Sequence, residues 1–449
     1  MTATPKEASK LGQFSWALFD WANQPFFTII TTFIFAPYFA NVMIGNAVAG
    51  QTAWAFTQTV AGVLIAVMSP LLGAMADAGG RRKPYMLAFQ LLLAIGCAGL
   101  WWAYPHRPDL AGPIAWAIVA ATVGAEMSIV FNNALLPSIA SPARMGWLSG
   151  FGWGLGYVGG LIALFLVLAA SNFPQAIGLD AASHEVERLT GPASALWLIV
   201  FVIPMFLFTP DSPGTNRVPL AAATRQGVAS LLSTLRRLRE HRNAFTYLIA
   251  FMLYNDGLAA IIAFGGIYAS ATFGWPTITL GIFGIILTLF AIPGAFLGGR
   301  LDDRFGSKRT VQWATAGVVV ATLGIVGVTA NRVLFFIPVA ALDPARGLFG
   351  STQEKVFMGF ALLLGFCMGP MQAASRTLIA RLAPEGMTGE FYGLFALSGR
   401  ATVWMAPLAN GIVTAATQST RLGIACVLVF LIAGFVLLLR VREVRAGAT

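Results

Sequence analysis

Gly73-Ala74-Met75-Ala76-Asp77-Ala78-Gly79-Gly80-Arg81-Arg82-Lys83 is a short polar stretch set between two long apolar ones. It has an echo at Gly299-Arg300-Leu301-Asp302-Asp303-Arg304-Phe305-Gly306-Ser307-Lys308-Arg309. In each copy a glycine stands four positions before an aspartate, a second glycine follows three positions after it, and cations close the stretch. Asp77 and Asp303 are separated by close to half of the 449-residue chain. A motif repeated at that interval points to two related halves, each carrying one copy.

The apolar segments around these loops dominate the composition. Hydrophobic residues make up 57% of the chain and charged ones 10%, against roughly 25% charged in a soluble globular domain. The mean hydropathy is +0.76. This is the composition of a polytopic membrane protein. Cys97, Cys367 and Cys426 each lie within an apolar segment, so they read as small packing residues and give no disulfide framework. The first dozen residues are polar and include Lys6 and Lys10; no removable leader is expected there, because no short apolar core is followed by a small-residue cleavage site.

Runs long enough to cross a bilayer, which takes roughly 20 residues, are expected at 16–39, 53–75, 84–104, 113–136, 147–170 and 192–208. A second set of six follows at 244–270, 276–297, 310–329, 356–379, 391–416 and 422–439. The fold class is therefore all-α and integral to the membrane, with twelve spans in two pseudo-symmetric halves, 1–209 and 244–449, joined by 210–243. The net charge of +10 follows from the same layout. With the amino terminus inside, most of the 28 lysines and arginines fall on inner segments. The outer ones receive Arg107, Arg188, Arg332, Arg346, Lys355 and Arg421. That asymmetry selects both termini on the cytoplasmic side of a plasma membrane. The joint contains Leu231, Leu235 and Leu238 on one helical face, with Arg236, Arg237 and Arg239 largely elsewhere, so it reads as a basic amphipathic helix lying on lipid. The outer segment Leu334-Phe335-Phe336-Ile337-Pro338 is too short to span and reads as interfacial.

A charge inside a membrane helix costs about 2.5–3.5 kcal/mol on insertion scales, so it needs a partner or a task. Five stand out: Asp20 in span 1, Glu126 in span 4, Asp256 in span 7, Arg376 in span 10 and Arg400 in span 11. The uncharged polar residues Asn23, Gln24, Asn132, Asn133, Asn255 and Gln372 fall in the same first and fourth spans of each half. Asp20, Asn23, Gln24 and Phe27 share a helical face, as do Glu126 with Asn133 and Gln372 with Arg376. At ~1.5 Å per residue, Asp256 and Arg400 lie roughly 18 and 14 Å from the inner boundary, which makes them candidates to pair. Arg376 is placed to reach Asp20 or Glu126. Three carboxylates against two arginines leaves one acid without a cation, and an acid that can take up and release a proton inside the membrane is what a proton carrier needs. Glu126 is the first choice for that role and Asp256 the second. Asn255-Asp256-Gly257 marks a local break exposing backbone polar groups. Gly152, Gly156 and Gly160 in span 5 recur every fourth position, as a close helix contact requires.

Twelve spans in two halves with the doubled loop resemble the major facilitator superfamily. In that superfamily the loop runs glycine, three residues, aspartate, cation, any residue, glycine, then two cations. Gly299, Asp303, Arg304, Gly306, Lys308 and Arg309 follow this with Ser307 inserted, whereas the first copy has Ala78 in place of a cation. The resemblance implies a cavity lined by spans 1, 4, 7 and 10. It also implies an inner gate built from Gly73, Asp77, Arg81, Arg82, Asp303, Arg304, Lys308 and Arg309, with unequal latches in the two halves. More specifically, Phe19-Asp20-Trp21-Ala22-Asn23, Pro37-Tyr38-Phe39, the run from Ser149 to Gly160 and Tyr254-Asn255-Asp256-Gly257 resemble the vacuole-effluxer-like family. Gln24-Pro25 stand where that family often has a small residue. The resemblance implies amino-acid export for its fungal members.

Together these readings define an expected secondary active transporter working by alternating access, coupled to a proton or another ion, with lipid around it and no nucleic-acid partner. Its solute is expected to be small and polar or zwitterionic, held by Asp20, Asn23, Gln24, Glu126, Asn133, Asn255, Asp256, Gln372, Arg376 and Arg400 together with the aromatics Trp21, Phe27, Tyr254 and Trp404. Broad drug or metabolite efflux, or a sensor or scaffold without transport, are the alternatives. An enzyme is not expected, since His106, His184 and His241 lie in loops or at helix ends. No cofactor or metal is expected either, and the chain has no Gly-x4-Gly-Lys-Ser/Thr loop for nucleotide. A monomer is expected.

Overall fold

The computed structural model describes residues 7–77, 81–140, 142–211, 241–343, 346–382 and 388–443. The chain divides into two compact units, Met1–Gly45 with Val60–Leu232, and Asn46–Thr59 with Ser233–Thr449.

The first unit is built on α1 (Lys10–Met43), α2 (Ala47–Asp77), α3 (Lys83–Gly99), α4 (Ala111–Ile139), α5 (Pro142–Asn172) and α6 (Glu185–Phe208). Ser9 caps α1 by accepting from the Gly12 N–H at 3.1 Å. Pro25 then removes a backbone donor, and the chain winds with wider π turns over Phe26–Phe33 and again over Phe39–Met43. Thr31 and Thr32 hydroxyls both donate to the Phe27 carbonyl at 2.8 Å, stabilising that altered stretch. A core cluster joins α2 to α4 through Ala61, Ile65, Val119, Val123 and Met127. The contact between α3 and α4 is backbone against backbone. A Cβ on Gly96 would stand 2.5 Å from the Ala117 carbonyl, and one on Gly124 would stand 2.6 Å from both the Leu93 N–H nitrogen and the Phe89 carbonyl.

The second unit comprises α7 (Arg242–Phe273), α8 (Thr277–Phe305), α9 (Ser307–Val326), α10 (Thr352–Leu382), α11 (Thr388–Ala401), α12 (Met405–Thr417) and α13 (Thr420–Arg440). Its close approaches follow the same rule: a Cβ on Gly298 of α8 would meet Pro370 of α10 at 2.6 Å, and one on Gly434 of α13 would meet the Tyr254 nitrogen of α7 at 2.7 Å. The first turns of α2 are counted with this unit. There Gln51 is fully buried and donates to Asn410 Oδ1 at 3.2 Å, Thr414 Oγ1 at 2.9 Å and the Thr420 carbonyl at 3.0 Å. These bonds tie the first turns of α2 to α12 and to the start of α13.

Among the described residues, 11 helices are long and apolar enough to cross a membrane, where the sequence leads one to count twelve. The difference lies at 391–416, where α11 has 14 residues and α12 has 13, with a turn at 402–404 between them. Two further boundaries differ. α6 begins at Glu185 rather than at Pro192, which lies inside the helix roughly two turns from its start, and this shortens the long outer loop. The stretch expected to be interfacial is a hairpin, β1 (Arg332–Val333) pairing antiparallel with β2 (Ile337–Pro338). Leu334 and Phe335 take φ values of 51° and 72° at its tip, and Phe336 is 75% exposed. The amphipathic helix expected at 231–239 lies outside the described residues.

Candidate functional site

In the first unit the polar face of α1 is divided between two neighbours. Asp20, Gln24 and Thr28 form a ridge with helical spacing against α5. A Cβ on Gly152 would stand 2.7 Å from Asp20 Oδ2, one on Gly156 3.4 Å from Gln24 Oε1, and one on Gly160 2.5 Å from Thr28 Oγ1. The glycines of α5 thus make the room that an acid and an amide occupy on α1. Asn23 turns to the other side. Its Nδ2 donates to the Phe19 carbonyl at 2.8 Å, and its Oδ1 accepts from Gln90 Nε2 of α3 at 3.1 Å. Gln90 also donates to Ser128 Oγ of α4 at 2.8 Å, and Ser128 donates to the Ala125 carbonyl at 2.8 Å.

Asn23, Gln90 and Ser128 are all buried. They tie three helices together through side chains whose hydrogen-bonding capacity has no water to satisfy it. Gln90 escapes a reading of the sequence because it is a single polar residue in an apolar run, and Ser128 because it stands beside the more conspicuous Glu126 and Asn132. A signal exists all the same: a buried amide on α1 requires a partner on another helix. On α4, Glu126 is half-buried and Asn133 exposed. The preceding Asn132 is buried, with its carbonyl accepting from Trp16 Nε1 at 3.0 Å.

Trp21 stacks on Trp197 of α6 at 5.5 Å and meets Phe201 edge-on at 5.7 Å, and its carbonyl accepts from Trp197 Nε1 at 3.1 Å. Its ring therefore packs toward α5 and α6. Beside it lies an apolar cavity of about 180 Å³ lined by Pro25, Ile29, Leu166, Leu189, Ser194 and Trp197. Phe27 is half-buried against Phe26.

In the second unit Asp256 is 2% exposed. Across from its carboxylate stands Thr402, two residues beyond Arg400, at the turn that separates α11 from α12. Asp256 Oδ1 and Thr402 Oγ1 are both buried without a hydrogen bond of ordinary geometry. The turn replaces the helical ladder with shorter-range bonds: the Val403 N–H reaches the Arg400 carbonyl at a stretched 3.5 Å and the Met405 N–H the Thr402 carbonyl at 2.8 Å. Trp404 Nε1 donates to the Ala401 carbonyl at 3.0 Å. The break expected within α7 therefore falls on the facing helix, while α7 runs unbroken through Asn255-Asp256-Gly257. Asn255 lies beside Gly399 of α11, its Nδ2 3.9 Å from where a Cβ would stand.

Tyr254 is buried, its hydroxyl 2.7 Å from Ser375 Oγ of α10 and 3.4 Å from the Tyr247 hydroxyl. Tyr247 in turn donates to the Ser375 carbonyl at 2.6 Å. Gln372 and Arg376 flank that serine on α10, half-buried and exposed respectively.

The repeated loops are fastened in each unit by an acid that the sequence pattern does not single out. Asp211, just after α6, accepts the Arg82 N–H at 3.0 Å, at the start of α3. Glu443, just after α13, accepts the Ser307 and Lys308 N–H groups at 3.1 and 3.0 Å, at the start of α9. Both carboxylates sit where a helix leaves its first amide hydrogens unsatisfied. Arg381 of α10 joins the second cluster, 2.8 Å from Glu443 and 3.3 Å from Asp302. Asp302 also accepts from the Ser307 hydroxyl at 2.6 Å. Burial pushes the Glu443 carboxyl up, but the Arg381 hydrogen bond and the two amide hydrogens outweigh it, leaving the group below its usual range. Arg81, Arg304 and Arg309 are exposed and Lys308 is half-buried. The side chains of Gly73, Asp77 and Asp303 lie outside those described.

Two helical units, a doubled loop and buried polar groups on the first and fourth helices of each half define the class: this is the fold of major facilitator transporters. It aligns over 96% of its length with the nucleoside transporter NupG, at a TM-score of 0.62 and 13% identity, covering 98% of that chain. With the inward-open xylose transporter XylE from E. coli the TM-score is 0.61 at 14% identity, covering 98% of this chain and 96% of that one. The chain belongs to the family described as vacuole effluxer Atg22 like, whose profile matches residues 40–448. It is 25% identical over 432 residues to an uncharacterized MFS-type transporter, YxiO, of Bacillus subtilis (strain 168), covering 96% of this chain and 94% of that protein. Autophagy-related protein 22-1 of Neosartorya fischeri is 25% identical over 283 residues, a match that spans 60% of this chain and 43% of the fungal protein.

Proposed function

We propose that this protein is a proton-coupled secondary active transporter that moves a small polar or zwitterionic solute, with neutral amino acids as the favoured class. The observation that carries the reading is Asp256, an acid buried inside a spanning helix at the point where the facing helix is interrupted. Intramembrane carboxylates beside broken helices mark solute and ion pathways, because the break frees backbone polar groups at membrane depth. Membership of the vacuole effluxer family supports transport as the activity.

Within this reading Glu126 is the proton carrier. Asp20, Asn133, Asn255, Gln372, Arg376 and Arg400 are the polar groups along the path, and Phe27 and Trp404 are aromatics open to an apolar side chain. Asn23 and Tyr254 act one step back, since their polar atoms are already engaged by protein. The halves rock about this region in alternating access, with both termini on the cytoplasmic side of a bacterial plasma membrane. The cation asymmetry and the near full-length bacterial relative support that placement.

The test is uptake of labelled neutral amino acids into proteoliposomes driven by a pH gradient. Glu126→Gln is expected to abolish gradient-driven flux while leaving counterflow measurable. Full gradient-driven flux in that variant removes Glu126 from the role, and no flux or counterflow of any amino acid removes the solute class.

A further inference from the structure

Asp256 and Thr402 present an arrangement that solute recognition does not explain. Two oxygen-bearing side chains, on α7 and at the turn between α11 and α12, face each other in the protein interior. Neither Asp256 Oδ1 nor Thr402 Oγ1 has a hydrogen bond of ordinary geometry. A buried polar atom left in that state costs about 1–3 kcal/mol, more when it is charged. Beside them the backbone is loosely tied, since the Val403 N–H reaches the Arg400 carbonyl only at 3.5 Å.

We propose that Asp256, Thr402 and the loosened backbone at the α11–α12 turn form a binding site for a small monovalent cation, sodium. A carboxylate, a hydroxyl and the carbonyls of an interrupted helix are hard oxygen donors, the set that holds alkali ions at broken membrane helices. Charge selects the valence: one carboxylate at this depth is neutralised by a single positive charge, whereas a divalent ion would leave a net charge in a medium of low dielectric constant. The turn supplies carbonyl oxygen that a continuous helix withholds at two places: the Arg400 carbonyl is held only by the 3.5 Å bond from Val403, and the residue four on from Val403 is Pro407, which has no amide hydrogen to commit the Val403 carbonyl. The site goes beyond the transport reading, because sodium binding here requires neither a solute nor Glu126.

The experiment is thermal unfolding of the purified full-length protein in detergent, in sodium chloride and in choline chloride at matched ionic strength, with no solute added. The melting temperature is expected to rise in sodium relative to choline, and the rise to grow with the logarithm of sodium concentration above saturation of the site. Asp256→Asn and Thr402→Val are each expected to lose the difference, and Thr402→Ser, which restores the hydroxyl, to keep it. Equal melting temperatures in the two salts overturn the site. So does a sodium-specific rise that persists in Thr402→Val, whether or not Asp256→Asn folds. A sodium-specific rise in a protein that transports no amino acid leaves this site standing and removes only the proposed solute.

Discussion

Gln90 Nε2 lies 3.1 Å from Asn23 Oδ1, and this bond decides which way the asparagine of α1 faces. With its carbonyl oxygen held by α3 and its amide held by the Phe19 carbonyl, Asn23 ties α1 to α3. Gln90→Leu removes both donors and leaves Asn23 Oδ1 and Ser128 Oγ buried with fewer partners. The expected loss is about 1–3 kcal/mol of stability, read as a lowered melting temperature in detergent. Ser128→Ala, which breaks one bond of the set, is expected to cost less. An unchanged melting temperature in Gln90→Leu would show that the contact is not made.

The α3–α4 contact gives a second prediction with an internal control. Gly96→Ala and Gly124→Ala place a methyl group 2.5–2.6 Å from backbone atoms of the partner helix, which cannot rotate away. Overpacking of this kind costs about 1–3 kcal/mol. Gly154→Ala has nothing within 4 Å of the new methyl group, so it is expected to be neutral or stabilising by up to about 1 kcal/mol. Equal stabilities for the three variants would contradict the close approach.

The Glu443 cluster predicts a pH dependence. Its carboxyl is held below the ordinary value of 4.5 in the folded protein, so the unfolded chain binds its proton first as pH falls. The stability it contributes is therefore fully present above about 4.5 and is lost as pH falls through the lowered folded value. Glu443→Gln is expected to melt below the wild type at neutral pH, with the two curves converging in acid. A gap that stays constant with pH would assign the effect to shape and not to charge.

Tyr254→Phe removes a hydroxyl that lies 2.7 Å from Ser375 Oγ. A loss of about 0.5–1.5 kcal/mol is expected, with solute affinity unchanged in the same preparation. A change in affinity at constant stability would place the ring in the solute path.

Much of this protein is legible in its residues. Run length and cation placement report directly on spans and halves, because crossing a bilayer is a local requirement met by about 20 consecutive apolar residues. The glycines at 152, 156 and 160 announce a close contact in the same way. What they do not announce is its other side. Asp20 and Gln24 fill the space those glycines leave, whereas Asn23, one residue from Gln24, meets Gln90 on a different helix. Asp256 stands out as an intramembrane acid, but the interruption beside it falls at 402–404 on another helix, where its mark in the sequence is Pro407, which has no N–H to give to the Val403 carbonyl.

The sequence by itself determined the class of fold, the doubled loop and the set of helices that carry the polar groups, since each follows from patterns read along the chain. The tertiary structure decided which of those groups meet: Asn23 with Gln90, Asp256 with Thr402, and the start of α9 with Glu443. The physical reason is that a buried polar group must be satisfied by whatever lies across the helix interface, and that neighbour is fixed by packing between segments far apart in the chain.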